Sequence, residues 1–312
     1  MDESGTASDA LRILLTNDDG IDAPGLAALY EELSAVASVT AVAPAENQSG
    51  VGRTRSHRAV REDHPWGVAV SGTPADCVAY GVGGVDREFD LVVSGCNHGP
   101  NAGNYVVGRS GTVGACIEAA FLGLPAVAVS AYHCEDFFVA PAEDYDFGRS
   151  ARVARELVVR VLSADVFDSA DILNVNVPVD VADPRMRVTE PYHDYDVRVD
   201  HDPPEFGQDP ADDDAGVVGG THDGGDDAAE EVAIRDVVWP DAVGWENPFP
   251  AGEGLRERYP VGSDRRALVD GEVSVSPLSA PASVGHTPEL DGVVAGFNDS
   301  VRQREQDRAE EE

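Results

Sequence analysis

LRILLTNDDGIDAPG, residues 11–25, passes from a strand into a helix across a polar turn. Residues 11–16 form an apolar run of strand length, and residues 24–36 set Leu26, Leu29, Tyr30 and Leu33 at helical spacing behind Pro24, a residue suited to a first helical turn. The same alternation continues downstream. Strands are predicted over 39–43 (VTAVA), 91–94 (LVVS), 126–130 (AVAVS) and 172–177 (ILNVNV), with helices over 74–80, 111–122 and 147–162. Strands apolar on both faces and separated by helices point to an α/β fold, a mainly parallel sheet covered on each side. Such sheets bind ligands beyond the carboxyl ends of their strands. Asp18 and Asp19 follow the first strand directly, so a buried scaffold delivers two charges to that edge.

Composition narrows the partners. Among 312 residues, 58 Asp and Glu stand against 22 Lys and Arg, a formal net charge of -36. A surface of that sign repels nucleic acid and anionic lipid alike, so neither nucleic acid nor membrane is expected as a partner. It suits concentrated salt, which screens self-repulsion, and the acids occur throughout the N-terminal half as well as in one tract, as in a halophilic protein. Cys77, Cys96, Cys116 and Cys134 share no C-x-x-C spacing and read as small buried hydrophobes. The first ten residues lack the basic and apolar parts of a signal peptide, and no apolar run reaches the roughly 18 residues of a membrane span. A cytoplasmic location is the expectation.

Five segments are expected: a disordered extension over 1–10, an α/β core over 11–193, an acidic insertion and irregular arm over 194–260, a strand and helix completing the domain over 261–301, and a charged tail over 302–312. Residues 194–231 hold fourteen Asp or Glu and a single Lys or Arg, Arg198, the composition of a solvated excursion without an active-site role. Residues 272–278 (EVSVSPL) alternate as a strand does, and residues 289–301 are patterned for a closing helix.

Adjacent carboxylates at a strand end repel, and one takes up a proton unless a cation lies beside them. A hard divalent ion such as Mg²⁺ or Mn²⁺, bound through oxygens with water positions left open for phosphate, accounts for the pair; a plain turn does so equally, because N-D-D-G is rich in turn and cap formers. Residues 47–50 (NQSG) and 94–99 (SGCNHG) follow two further strands, so ligands from three strand ends can meet. The run GPNAGNYVVGRSGTVG, residues 99–114, leads into a helix whose free amides, with Ser110 and Thr112, either bind an anion or simply cap the helix; it lacks the G-x-x-x-x-G-K-[ST] of a P-loop. His57, His64, His98 and His133 show no metal-ligand spacing, and of these His98 lies beside the expected cleft, placed to contact phosphate or carry a proton. Arg53 and Arg55 either counter substrate charge or are ordinary surface arginines.

Five segments in order, LLTNDDGIDAPG (14–25), VAPAENQSGVG (42–52), GTPADCV (72–78), VVSGCNHGPNAG (92–103) and SGTVG (110–114), resemble the SurE family of survival-protein nucleotidases. The likeness runs through residues 11–177 and resumes at DRRALVDGEVSVSPL, residues 264–278. This resemblance implies a Rossmann-like doubly wound sheet with a C-terminal extension. It further implies a metal-dependent 5'-nucleotidase that releases phosphate from nucleoside 5'- and 3'-monophosphates, in some members also from short polyphosphate. One divalent cation per subunit, Mg²⁺ or Mn²⁺, would sit on Asp18, Asp19, Ser49 and Asn97, with phosphate held by Asn101, Ser110, Gly111 and Thr112. Asp19 is taken as the group that activates the attacking water, and a homodimer or homotetramer is implied. Between about residues 194 and 260 the acidic stretch replaces much of the family's hairpin arm.

Two rivals fit less well. Haloacid-dehalogenase-type phosphatases separate their two aspartates by one residue, whereas these are adjacent. A response-regulator receiver is shorter and needs a phosphoacceptor Asp where SGCNHG supplies none. A non-catalytic nucleotide- or phosphate-binding regulatory module is the alternative, which catalytic turnover would separate from an enzyme.

Overall fold

The computed structural model describes residues 11–56, 58–134, 142, 145–193, 195–201, 232–237 and 255–280. His57, the extension over 1–10, most of the acidic insertion, the closing helix over 289–301 and the tail over 302–312 lie outside them. β1 (Arg12–Thr16) is central, parallel to β2 (Ser38–Pro44) on one side and to β5 (Leu91–His98) on the other. Beyond β2 come β4 (Gly67–Val70), parallel, and β3 (Arg61–His64), an antiparallel edge. Beyond β5 the parallel run continues through β6 (Ala126–Tyr132) and β7 (Ile172–Pro178), after which β11 (Val273–Leu278) pairs antiparallel and carries β8 (Met186–Val188). The sheet is therefore nine-stranded, in the order β3-β4-β2-β1-β5-β6-β7-β11-β8.

Helices cover both faces. α1 (Pro24–Ser34) packs with α5 (Phe147–Ser163) on one, and α2 (Pro74–Gly84) with α4 (Gly111–Phe121) on the other. Alternation along β1 divides the core: Ile13 and Leu15 join Leu26, Leu29 and Val158, while Leu14 joins Val78 and Val113. All three β1 side chains are fully buried, and each such burial stabilises the fold by about 1.5–3 kcal/mol. α2 begins in a capping box, with Thr73 and Asp76 bonding each other's backbone amides and Pro74 in the first turn. Strand order reverses between β1 and β5, and at that switch point the connections leave in opposite directions and open a crevice.

The structure departs from sequence expectation where polar residues break the pattern. β5 extends to His98 rather than ending at Ser94, through an irregularity in its pairing with β6 between Ser94 and Asn97. The charged hairpin β3–β4 was hidden by its composition, since three of the four residues of β3 are exposed. Part of the acidic insertion is also ordered: β9 (Asp196–Asp200) pairs antiparallel with β10 (Ala233–Val237). Asp196, Arg198 and Asp200 alternate there with Val197 and Val199, a strand period submerged in the high acid count. Between β5 and α4 runs α3 (Asn104–Arg109), and the C-terminal segment adds α6 (Leu255–Arg258) and α7 (Asp264–Val269).

Candidate active site

Asp18 and Asp19 stand at the carboxyl end of β1, at the switch point. Asp18 is buried and fully engaged: Thr112 donates its hydroxyl to Oδ1 at 2.6 Å and its backbone N–H to Oδ2 at 3.1 Å. The carboxylate thus occupies the N-terminus of α4, whose dipole favours negative charge. Gly111 permits the approach, because a Cβ at that position would lie 2.7 Å from Asp18 Oδ2. Burial raises the pKa of Asp18, opposed by the Thr112 side chain and the backbone amides. Asp19, half-buried, is pushed up to about 7, first by burial and then by the charge of Asp18, with the His98 backbone N–H acting the other way. One acid is anchored; its neighbour keeps acceptor positions for something else.

Two other strand ends converge on this pair. The Gln48 N–H donates to the Asp18 carbonyl at 2.6 Å, which ties the loop after β2 to the site. Ser49 follows, exposed, its amide held by Asn47 Oδ1 at 2.8 Å. At the end of β5, Asn97 Nδ2 donates to the Gly99 carbonyl at 2.7 Å, so Oδ1 is its remaining group. β5 is kept close by Gly25 of α1: a Cβ there would fall 2.1 Å from the Cys96 carbonyl oxygen.

These donors suit a hard cation. Among the described residues no three His, Cys, Asp or Glu side chains gather to hold a metal, which argues against a zinc-like set. Two carboxylates with a serine and an amide oxygen instead match an ion that keeps several waters. Asn17, fully buried in the same turn, adds an acceptor, Oδ1, that has no hydrogen-bond partner. Repulsion between two desolvated acids is what a divalent ion removes.

The residues expected to hold phosphate have defined partners. Asn101 is buried and clamped from the sheet: its N–H donates to Asn176 Oδ1 at 2.8 Å, and its carbonyl accepts from Asn174 at 2.8 Å and Asn176 at 3.1 Å. Its side chain donates to Ser130 at 2.9 Å. Ser110 caps α4 through Val113 N–H at 3.0 Å, the capping role open from sequence. Thr112, and with it the first turn of α4, is given to Asp18 rather than left free for an anion. Between residues 50–54 and 108–109 a groove of about 480 Å³ opens, next in sequence to Ser49 on one wall and Ser110 on the other.

Other candidates are accounted for elsewhere. Arg53 and Arg55 both bind Glu118, at 3.0 and 2.5 Å, and Arg55 also reaches Asp76, so both guanidinium groups have partners within the protein. His98 stands edge-on to Tyr145 with ring centroids 4.7 Å apart; His64 faces Asp22 and His133 faces Asp180. Cys77, Cys96 and Cys116 are buried and burial raises all three thiols, which removes them as nucleophiles, while Cys134 is half-buried. Sequence reading passed over Asn174 and Asn176, whose signal was present: two amides two residues apart in an otherwise apolar strand, on one face of it. It also passed over Asp264 and Arg265, which carried no signal beyond a charged run. Among the described residues, no helix is long and apolar enough to cross a membrane.

Comparison with known proteins identifies relatives of this chain. A sequence profile described as Survival protein SurE matches residues 13–196. The chain is 44% identical over 283 residues to the 5'-nucleotidase SurE of Natronomonas pharaonis, spanning 88% of this chain and 95% of that one. It is 43% identical to the protein of the same name from Halobacterium salinarum, spanning 93% and 99%. The crystal structure of the SurE protein from Aquifex aeolicus is similar with a TM-score of 0.62 and 31% identity, over 87% of this chain and 94% of that chain.

Proposed function

This chain belongs to the SurE family, and from that premise we propose that the crevice at the β1–β5 switch point is the active site of a nucleotidase that hydrolyses nucleoside 5'- and 3'-monophosphates to nucleoside and phosphate. The observation that carries the reading is the Asp18–Asp19 pair, one acid fixed on α4 and the other with acceptor capacity to spare, with the loop after β2 tied to it through the Gln48 N–H. Relatives that are 43–44% identical along nearly their whole length are named 5'-nucleotidase SurE, which supports the activity.

Asp18, Asp19, Ser49 and Asn97 would hold one Mg²⁺ or Mn²⁺. When bound, that ion supplies Lewis-acid polarisation of a phosphoryl oxygen and lowers the pKa of water. The chain's own groups do the rest. Asp18, locked by Thr112, keeps the cleft geometry fixed. Asp19, its carboxylate the less committed of the two, accepts the proton of the attacking water at Oδ. Asn101 and Ser110 frame the phosphoryl group from the loop before α4, with Asn101 held rigid by Asn174 and Asn176, while Gly111 and Thr112, expected from sequence to share that task, serve Asp18 instead. The groove between residues 50–54 and 108–109 has room for the nucleoside. Val197, Val199 and Ile234, exposed on the β9–β10 ribbon, form the surface on which a homodimer or homotetramer would assemble.

The test is phosphate release from a panel of nucleoside monophosphates and short polyphosphate in molar KCl, with Mg²⁺ or Mn²⁺ and with EDTA. Release that EDTA abolishes and that folded Asp18→Asn lacks is expected. A folded protein that binds nucleotide but never turns it over would be a regulatory module instead.

A further inference from the structure

α3 begins at a glycine. Gly103, its N-cap, has φ +84 and no side chain with which to cap the helix. Its acceptor comes from far along the chain: Asp264 Oδ2 takes the Gly103 N–H at 2.6 Å. The other oxygen of Asp264 accepts Tyr192 N–H at 2.9 Å and Arg265 N–H at 2.7 Å. Tyr192 closes the circuit, its carbonyl accepting Asn104 N–H at 2.8 Å. Asp264 and Arg265 are both fully buried. The Arg265 guanidinium lies against Gly103, where a Cβ would stand 2.7 Å from Nη2 and 2.8 Å from Nε, and its centre is 5.9 Å from each of the Tyr192 and Tyr259 rings.

Two buried ionisable residues are an expensive way to fill a core. Their hydrogen bonds point at the loop that precedes the site. Asn101 lies two residues before Gly103, and α3 ends at Arg109, immediately before Ser110. Asn174 and Asn176 fix the loop at Asn101; Asp264 and Arg265 fix it at Gly103. Between the two anchors the backbone has little freedom left.

We propose that Asp264 and Arg265 are positioning residues of the phosphate-holding loop, so that affinity for the phosphoryl group is set in part by the C-terminal segment, away from the strand-end carboxylates. This rests on the reading that Asn101 and Ser110 hold phosphate. In Asp264→Asn the shape is kept, but one carboxylate oxygen becomes an amide that cannot accept an N–H. Loss of one charge-assisted hydrogen bond to the loop raises the dissociation constant of inorganic phosphate by about tenfold. Binding is read by calorimetry on the full chain in molar KCl with Mn²⁺ present. Affinity for Mn²⁺ itself, titrated without phosphate, stays at the wild-type value, because Asp18 and Thr112 are untouched. For nucleotide hydrolysis, KM rises in parallel while kcat changes much less. Arg265→Lys, which keeps the charge but loses the planar group against Gly103, shifts the same constants in the same direction. Gly103→Ala perturbs the contact from the loop side and serves if Asp264→Asn does not fold.

Folded variants with wild-type phosphate affinity would overturn the inference. So would a joint loss of phosphate binding, Mn²⁺ binding and kcat, which is the signature of a general structural role. Wild-type protein that binds phosphate in this assay but hydrolyses no nucleotide would remove the nucleotidase reading and leave this one standing.

Discussion

Thr112→Val separates a cation site from an acidic turn. The Thr112 hydroxyl donates to Asp18 Oδ1 at 2.6 Å, with both residues buried, so no water replaces the donor when it is removed. Valine keeps the shape of the side chain and deletes one hydrogen bond to a charged group, worth about 1.5–3 kcal/mol. Asp18 is already raised by burial, and the Thr112 side chain is the largest of the effects that lower it. Without that donor the carboxyl rises further, and a proton competes more strongly with a divalent ion for Asp18. At about 1.4 kcal/mol per tenfold, Mn²⁺ affinity at pH 7 falls by about 10- to 100-fold, the range usual for loss of a group that orients a metal ligand. Calorimetric titration of Mn²⁺ into metal-free protein, in molar KCl at pH 7, reads the effect. Thr112→Ser, which keeps the hydroxyl donor, should behave as wild type. A folded Thr112→Val that binds Mn²⁺ as tightly as wild type at pH 7 would refute the reasoning.

Asp19 makes a second prediction, about stability without metal. Its folded-state pKa is raised from 3.8 to about 7, so between pH 4 and pH 7 the folded chain keeps a proton that the unfolded chain has released. Stability therefore falls as pH rises through that window, with no contribution below it and the full penalty above it. Asp19→Asn should be more stable than wild type at pH 8 in EDTA, by up to about 4 kcal/mol, and equal to it at pH 4; identical denaturation curves at pH 8 would count against the site's electrostatics. For the whole chain, a net charge of -36 predicts a melting temperature that climbs between low salt and molar KCl, and a flat salt dependence would contradict it. Arg109→Ala, on the wall of the groove, should raise KM several-fold for nucleoside monophosphates and leave ribose 5-phosphate unaffected, whereas equal effects on both would mean that the nucleoside lies elsewhere.

Where sequence reading succeeded, the information was local. The β1–α1 unit was legible because an apolar run, a turn and a helical period follow within 25 residues, and Asp18 and Asp19 could be placed at a strand end with no knowledge of pairing. What escaped was contact across sequence distance. That the first turn of α4 receives Asp18, rather than waiting for an anion, depends on a bond spanning 94 residues. The Gly103–Asp264 bond spans 161. A serine before a helix reads the same whether it caps or binds, and Arg53 and Arg55 read as free cations until Glu118, inside a helix and facing them, claims both. The charged strands were lost for other reasons: three of the four residues of β3 are exposed, so no apolar face announces it, and the Val197–Val199 alternation of β9 was submerged in the acid count.

The charge distribution sets a further constraint on how an anion enters. A phosphate monoester approaching a chain of net charge -36 is repelled at long range, and the two arginines on the loop after Ser49 bring no free charge, since both are bound to Glu118. The amide and hydroxyl of Thr112 at the N-terminus of α4 are likewise spent on Asp18. Beyond Arg109 on the groove wall, further positive potential would be imported, and two imports with different ranges suffice. The divalent ion proposed for Asp18 and Asp19 would act at contact distance. Monovalent salt acts at long range, because screening at 1 M shortens the reach of the surface charge to about 3 Å. On that proposal the two ions would act at different steps: withdrawing salt should weaken capture of substrate and raise KM, and withdrawing the divalent ion should remove kcat. If the proposed cation site is right, an acidic exterior is compatible with an anionic substrate because the acidic cleft would recruit the cation that neutralises it.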